Sequence, residues 1–449
     1  MSPDQSDVSL RAVSACLAQM SADPDAAARA LLLRRDEDAL AEAQARDALR
    51  TLAPGGEPLA GMVLGVKACF DVQGWITHAG SRVLSDASAA AEDASLVRRL
   101  RRAGAVLLAQ NNMTEFAYGA LGLNATFGTP LTPCLADMPR VAGGSSSGGA
   151  VAVAQGMVNL AVVSDTSGSA RIPAAFCGVA GFKPSRGRYP DAGMMYLSPS
   201  FDVPGIIAAD AAQCLRVDKA LASREALFPA PAVRGTGPLA SRNFVVPDHV
   251  EDLLDPEVRR AFSAWLERLM AAGAVLRRLP MPCVAQAGPV ARDGGIIAAE
   301  AYMLHAPRLA TDAARYDPRV GPRMLLGAQV PAHTYLAAQR RLAELRREYD
   351  AAMASAGADA VLTPTVPMLP PTLAQLEDNE AYLRENSRAF SLTEFANRLD
   401  LPSISLPGDL ADRRAVGLMA TGLRGGDRAL LATAVQIEAA LGSAARRRN

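Results

Sequence analysis

Residues 143–149 read Gly-Gly-Ser-Ser-Ser-Gly-Gly, and residues 165–171 read Asp-Thr-Ser-Gly-Ser-Ala-Arg. Between them, the small residues of 150–156 predict a short helix and the mostly apolar run 157–163 predicts a buried strand. A helix that packs back onto its strand brings the two loop ends together, and with them Ser145 and Ser169, which stand 24 positions apart. Far upstream, Gly65-Val66-Lys67 adds an amine. Two hydroxyls and one amine make a nucleophile-and-base set for acyl transfer that needs no histidine.

The amine stands out against the composition. The chain has three lysines, at 67, 183 and 219, among 46 basic residues, so ordinary positive charge is supplied by arginine. Lysine can lose its proton when desolvated and arginine effectively cannot. Burial near Val66 and Phe70 would lower the Lys67 pKa and let it act as a base. The pair Gly143-Gly144 permits backbone conformations and close approaches closed to other residues. A Gly/Ser linker would not lead straight into an apolar helix and strand. The turn 165–169 follows a strand, and its successive N–H groups can converge on one point. Asp165 and Arg171 are spaced to pair across that turn and hold it rigid. Ser146 and Ser147 read as helix-cap or supporting residues.

Other chemistries find less support. None of the four histidines (78, 249, 305, 333) has a metal-ligand spacing such as HExxH. Ser167-Gly168-Ser169-Ala170 does not fit a Gly-x-Ser-x-Gly elbow. His78, nearest to Lys67, reads as a loop or pocket-wall residue and is the fallback base. The six cysteines lack CxxC spacing, which points to reduced thiols and a cytoplasmic protein; Cys69 and Cys177 read as small buried hydrophobes. No metal and no cofactor is expected.

The elements that must position these residues follow a strand–helix–strand rhythm. Residues 8–52 read as helical, with Leu31, Leu32, Leu33, Leu40, Ala43 and Leu49 near a helical period, and a Pro-Gly-Gly loop at 54–56 ends them. Strands are expected at 62–66, 105–109 and 361–363, and helices near 96–104, 256–272, 333–354 and 429–441. Tyr335, Ala338, Leu342, Leu345 and Tyr349 form a core-facing stripe on one of them. The Pro/Gly/Ala-rich run 229–237 reads as a joint. This rhythm argues for an α/β sheet covered by helices. Half of the 449 residues are hydrophobic, enough for a sizeable core, and the net charge is zero. Short arginine clusters at 98–102 and 446–448 read as solvated faces, so no nucleic-acid surface is expected. The N-terminus has no basic region with an apolar core, and no stretch of about 18 apolar residues occurs, so neither a signal peptide nor a membrane span is read.

The run 143–184, ending Gly-Val-Ala-Gly-Phe-Lys-Pro, resembles the amidase signature family. Gly65-Val66-Lys67, residues 104–116, Val-Leu-Thr-Pro-Thr-Val-Pro at 361–367, Asn397 and Leu401-Pro402-Ser403 fit it too, so the likeness covers the chain from about residue 58 onward. The resemblance implies an α/β amidase-signature fold, a large mixed β-sheet core covered by helices on both faces, with 1–55 as an N-terminal helical segment and 56–449 as a single catalytic domain. It implies a Ser–cis-Ser–Lys triad that hydrolyses amides: Ser169 as nucleophile, Ser145 as bridging serine after a cis peptide bond, Lys67 as base. The oxyanion donors would be the backbone N–H groups of Thr166, Ser167, Gly168 and Ser169. The partner implied is a small-molecule amide, and a homodimer is compatible with the sequence. Two alternatives stand beside this reading: the ammonia-releasing chain of a multi-chain amidotransferase, and a non-catalytic binding protein on the same fold.

The chain departs from the family pattern at Ser167, where glycine is usual, at Ala170, where isoleucine or valine is usual, and at Ala68, which replaces a common acid. Thr-Gly-Leu at 421–423 is reached by an unusual loop, 408–417. Ser167 and Ala170 bear on substrate choice more than on reaction type. Phe116, Tyr118, Leu121, Met194, Met195 and Tyr196 are expected, from their position near the motifs, to line an apolar or aromatic acyl pocket.

Overall fold

A computed structural model describes residues 7–52, 56–135, 137–221, 239–408 and 415–442 of the chain. These residues form one eleven-stranded sheet. In chain order the strands are β1 (Leu31–Arg34), β2 (Val63–Lys67), β3 (Val106–Asn111), β4 (Leu160–Asp165), β5 (Ala180–Lys183), β6 (Val203–Ala208), β7 (Asn243–Pro247), β8 (Val275–Leu279), β9 (Ala360–Pro364), β10 (Ser403–Pro407) and β11 (Gly417–Thr421). Their order across the sheet is β1-β3-β2-β4-β6-β5-β10-β11-β9-β7-β8. The sheet is mixed: β2 runs parallel to β3 and β4, and β7 to β8 and β9, while the other pairs are antiparallel.

The period-2 alternation of the strands builds both layers. Leu64, Val66, Leu160, Val162, Ile206, Leu362 and Leu418 face one continuous core, shared with Leu96, Leu100, Phe262 and Leu430 of the covering helices. The intervening residues face the other side, where the core is split. Val63, Ala161 and Val163 pack with Val13, Met20 and Val151. Val245, Val361 and Met419 pack with Ala287, Leu345 and Tyr349, the last two from the stripe read on the helix Ala332–Ala356. The short helix Arg171–Cys177 lies over β5 and β10 in the centre, its Ile172, Ala175 and Phe176 in a further cluster with Leu121 and Val366.

The helices expected near 96–104, 256–272, 333–354 and 429–441 are Ser95–Arg102, Pro256–Ala271, Ala332–Ala356 and Asp427–Ala440. The strand expected over 157–163 starts later, at Leu160; Met157 N–H instead bonds back to Ala152 O and closes the preceding helix. One expectation fails outright. Leu31-Leu32-Leu33 is not helical but forms edge strand β1, pairing antiparallel with β3. Its register is irregular, with Leu31 opposite Asn111 and Leu33 opposite Gln110, and Leu31 is 6% exposed while Leu33 is 41%. The N-terminal segment thus contributes to the sheet, and its Val13 and Met20 share a core with β2, β3 and β4. The joint at 229–237, the arginines at 446–448 and residues 409–414 of the loop 408–417 lie outside the described residues. Among the described residues no helix is long and apolar enough to cross a membrane.

Candidate active site

β2 and β4 run parallel with Val66 opposite Val162, so both deliver their C-terminal residues to the same edge of the sheet. Such edges are where open α/β sheets hold ligands. Lys67, the last residue of β2, is fully buried. Its Nζ lies 2.7 Å from Ser145 Oγ and 2.8 Å from Ser164 Oγ. No carboxylate lies within 4 Å of Lys67 among the described residues. Burial pushes the amine below its ordinary value near 10.5, against the opposing pull of Cys69, Asp202 and Asp165. A neutral amine has one lone pair and two N–H bonds. With the lone pair on the Ser145 hydroxyl, an N–H can serve Ser164. Ser164 is a residue that sequence reasoning missed; it sits one position before the Asp165 turn, in what reads simply as strand. The other buried lysine, Lys183, donates to Pro184 O, and burial lowers it to about 8. Lys219 is exposed.

The loop carrying Ser145 is held from several sides. The Gly144–Ser145 peptide bond is cis. Ser145 O accepts from Thr114 N–H at 3.0 Å, and Gly144 N–H donates to Ala120 O at 2.6 Å. A Cβ on Gly144 would lie 2.6 Å from Gly122 N and 2.8 Å from Thr114 Oγ1, so only glycine fits. Ser146 supports rather than caps: its N–H donates to Ser169 O at 3.3 Å and its hydroxyl to Ser164 O at 3.4 Å, and it makes no side-chain cap on the helix Ser147–Ala154.

The turn after β4 is fixed by a buried ionic network. Arg171 gives its guanidinium edge to Asp165, Nη2 to Oδ1 at 2.9 Å and Nε to Oδ2 at 3.1 Å, with both side chains fully buried. Ala170 N–H also donates to Asp165 Oδ2 at 3.0 Å. Burial alone would raise the Asp165 carboxyl; the Arg171 charge and its hydrogen bonds outweigh it and hold the group at about 2. Arg171 further donates to Thr393 O at 2.8 Å and Asn397 Oδ1 at 2.6 Å, and Asn397 Nδ2 donates to Asp165 O at 2.9 Å. Arg398 donates to Thr166 O at 3.0 Å and Ser167 Oγ at 2.8 Å, and Thr393 Oγ1 donates to Ser167 O at 2.6 Å. Gly168 has φ +141°, and a Cβ there would collide with the Thr393 hydroxyl. Among the described residues, the backbone N–H groups of Thr166, Ser167, Gly168 and Ser169 find no protein acceptor.

Thr166, Ser167 and Ser169 line a cavity of about 300 Å³, the lower end of small-molecule sites. Of the six residues expected around an acyl pocket, Tyr118 alone lines it. Phe116 packs instead on His305, with ring centroids 4.3 Å apart, and Leu121 belongs to the core cluster above the short helix. Met194 bridges to Phe70, while Met195 and Tyr196 pack on the main core. The wall is built by residues that no local motif marks, among them Ile297, Arg323, Asn386, Phe390 and Glu394. His78 is not on it. Gly80 N–H donates to His78 Nδ1 at 3.1 Å, which leaves Nε2–H to meet Gln110 Oε1 at 3.1 Å. Both ring nitrogens are occupied, so His78 is not the fallback base. All six cysteines are buried and none is joined in a disulfide among the described residues, and burial raises the Cys69 and Cys177 thiols.

Comparison with known proteins places these features in a family. A family model described as Amidase matches residues 11–431, reaching well into the N-terminal segment. A 2-amino-5-chloromuconic acid deaminase of Comamonas testosteroni is 36% identical over 405 residues, covering 88% of this chain and 85% of that protein. An indoleacetamide hydrolase of Pseudomonas savastanoi is 32% identical, covering 86% and 85%, and a glutamyl-tRNA(Gln) amidotransferase chain of Moorella thermoacetica is also 32% identical, covering 92% and 90%. A crystal structure of an amidase superposes with a TM-score of 0.84 at 33% identity, covering 96% of each chain. Matched along nearly its whole length by sequence and by fold, the chain belongs to the amidase family, enzymes that act on carbon–nitrogen bonds.

Proposed function

We propose that the chain hydrolyses a linear carboxamide through an acyl-enzyme on Ser169, with Ser145 and Lys67 as its proton relay. The observation that carries this reading is the contact of 2.7 Å between the buried Lys67 amine and the Ser145 hydroxyl. Ser169 Oγ attacks the amide carbon while its proton passes to Ser145 and that of Ser145 to Lys67. The negative charge on the carbonyl oxygen is met by the N–H groups of 166–169, which have no acceptor of their own among the described residues. The proton returns through Ser145 to the leaving nitrogen, and the C–N bond breaks. Water then attacks the ester by the same relay and frees the acid.

The experiment is interception. Hydroxylamine added during turnover should yield the hydroxamate of the acyl group, and rapid quench with mass spectrometry should find the acyl mass on the peptide containing Ser169. An adduct on Cys177 or elsewhere, or no adduct with any amide, would overturn the assignment and favour a binding role. The turn gives a second test. Gly168→Ala forces a side chain against Thr393 and displaces the N–H donors, so kcat should fall by about 10²–10³-fold, the usual cost of one lost oxyanion donor. Circular dichroism should show the fold retained. A near-normal kcat would remove the turn from the mechanism.

The likeness to the amidotransferase chain supports a second reading, ammonia release from glutamine within a complex. Purified chain that hydrolyses simple amides at full rate without partner chains sets that reading aside.

A further inference from the structure

The cavity wall carries an uneven set of charges. Arg292, Arg323 and Arg398 line it with one carboxylate, Glu394. Arg398 is held at both terminal nitrogens: it pairs with Glu394 at 3.2 Å, donates to Thr166 and Ser167, and its guanidinium carbon lies 4.3 Å over the Phe201 ring, while its buried Nε finds no acceptor among the described residues. Arg292 is exposed at a helix end beside Asp293. Arg323 differs from both. It is partly buried, and no carboxylate lies within 4 Å of it among the described residues. Two contacts of its guanidinium are with Tyr118, and, against the rise that burial gives the Tyr382 phenol, its charge also lowers that group. Nη1 donates to Tyr118 O at 2.9 Å, and the guanidinium carbon stands 4.1 Å over the Tyr118 ring.

That leaves the Nε–Nη2 edge of Arg323 with no acceptor among the described residues, while the Tyr118 carbonyl and ring hold the guanidinium in place. A planar two-donor edge matches a carboxylate in bidentate fashion. Asn386, on the same wall, is buried and uses its Oδ1 to accept from Ala120 N–H at 2.8 Å, so the group it offers is the donor Nδ2. Ile297, Leu383 and Phe390 add apolar surface to the same lining. Free donors, hydrocarbon and Ser169 lining one cavity suit a ligand with an anion as well as a reacting carbonyl. A neutral amide would leave a partly desolvated guanidinium unmatched.

We infer that the substrate is an amide whose short acyl chain ends in a carboxylate, held by the free edge of Arg323. This rests on the hydrolase reading above and names the substrate class for the same cavity.

The test compares the half-amides succinamate and glutaramate with butanamide and pentanamide. The wild-type enzyme should prefer the half-amides in kcat/KM by about 10–100-fold, the worth of a charge-assisted hydrogen bond. In Arg323→Ala that ratio should collapse toward one, chiefly through KM, with Arg323→Lys between the two. Calorimetry gives a readout that needs no turnover: glutarate should bind the Ser169→Ala enzyme at least about 10-fold more tightly than it binds Ser169→Ala, Arg323→Ala. Equal use of neutral amides by the wild type overturns the inference. So does a ratio that Arg323→Ala leaves intact, or an equal loss for both substrate classes, which would make Arg323 a brace for Tyr118. If no amide is turned over yet glutarate binds through Arg323, the hydrolase reading fails and the anion site stands.

Discussion

Lys67→Arg should be nearly as inactive as Lys67→Ala, although it keeps the charge and much of the volume. A base must shed its proton, and a guanidinium does not do so at any working pH. Loss of a general base costs about 10²–10⁴-fold in rate, and more where members of a triad act as a unit. The wild-type kcat/KM should rise with pH along a limb whose midpoint lies below 10.5, because burial lowers the amine. The same shift bears on stability. A lysine whose folded pKa is depressed opposes folding once it must be protonated, so the contribution is most favourable above the unfolded value and is lost as pH falls through it. Lys67→Met should therefore abolish turnover without lowering Tm at neutral pH. Near-normal kcat in Lys67→Arg with an unchanged pH profile would make the lysine a structural cation.

Asp165→Ala should be among the most damaging substitutions to the fold itself. It strands the fully buried Arg171 without its partner, and breaking a buried pair in this way costs about 3–5 kcal/mol. Urea unfolding monitored by fluorescence reads the loss as a lower midpoint. The pH dependence supplies the sign. Asp165 is held at about 2, below an ordinary carboxylate, so its contribution is full above the unfolded value near 4 and disappears as pH falls toward 2. Wild type and variant should therefore converge in stability as acid is added. A constant difference from pH 7 down to pH 2.5 would show that the loss comes from packing rather than from the charge pair.

The chemistry end of the site was legible in the sequence because it is local. Gly143 to Ser147 and Asp165 to Arg171 are short turns whose residue types dictate their geometry, and Asp165 pairs with Arg171 as its spacing suggests. The cis bond before Ser145, implied only by the family resemblance, is present. The family resemblance also covered Asn397, but nothing local says that it reaches back to Asp165. The cavity wall was not legible. Most of its residues come from helices spread between Ala291 and Arg398, and their meeting is decided by how those helices pack across the sheet. The residues adjacent to the motifs went mostly into core instead. The same limit applies to β1: three leucines in an alanine-rich stretch carry a helical signal, and only the open edge of β3 makes them a strand.

Floor and wall come from different stretches of chain, and residues 393–398 are the struts between them. Redesign of substrate range by segment exchange has a natural boundary here. A graft that ends before Thr393 changes the cavity lining and leaves the serine turn as it is. A graft that runs through Arg398 replaces the strut that holds the Ser167 hydroxyl. Ser167 and Arg398 thus behave as a matched lock and key within one chain, to be inherited or exchanged together.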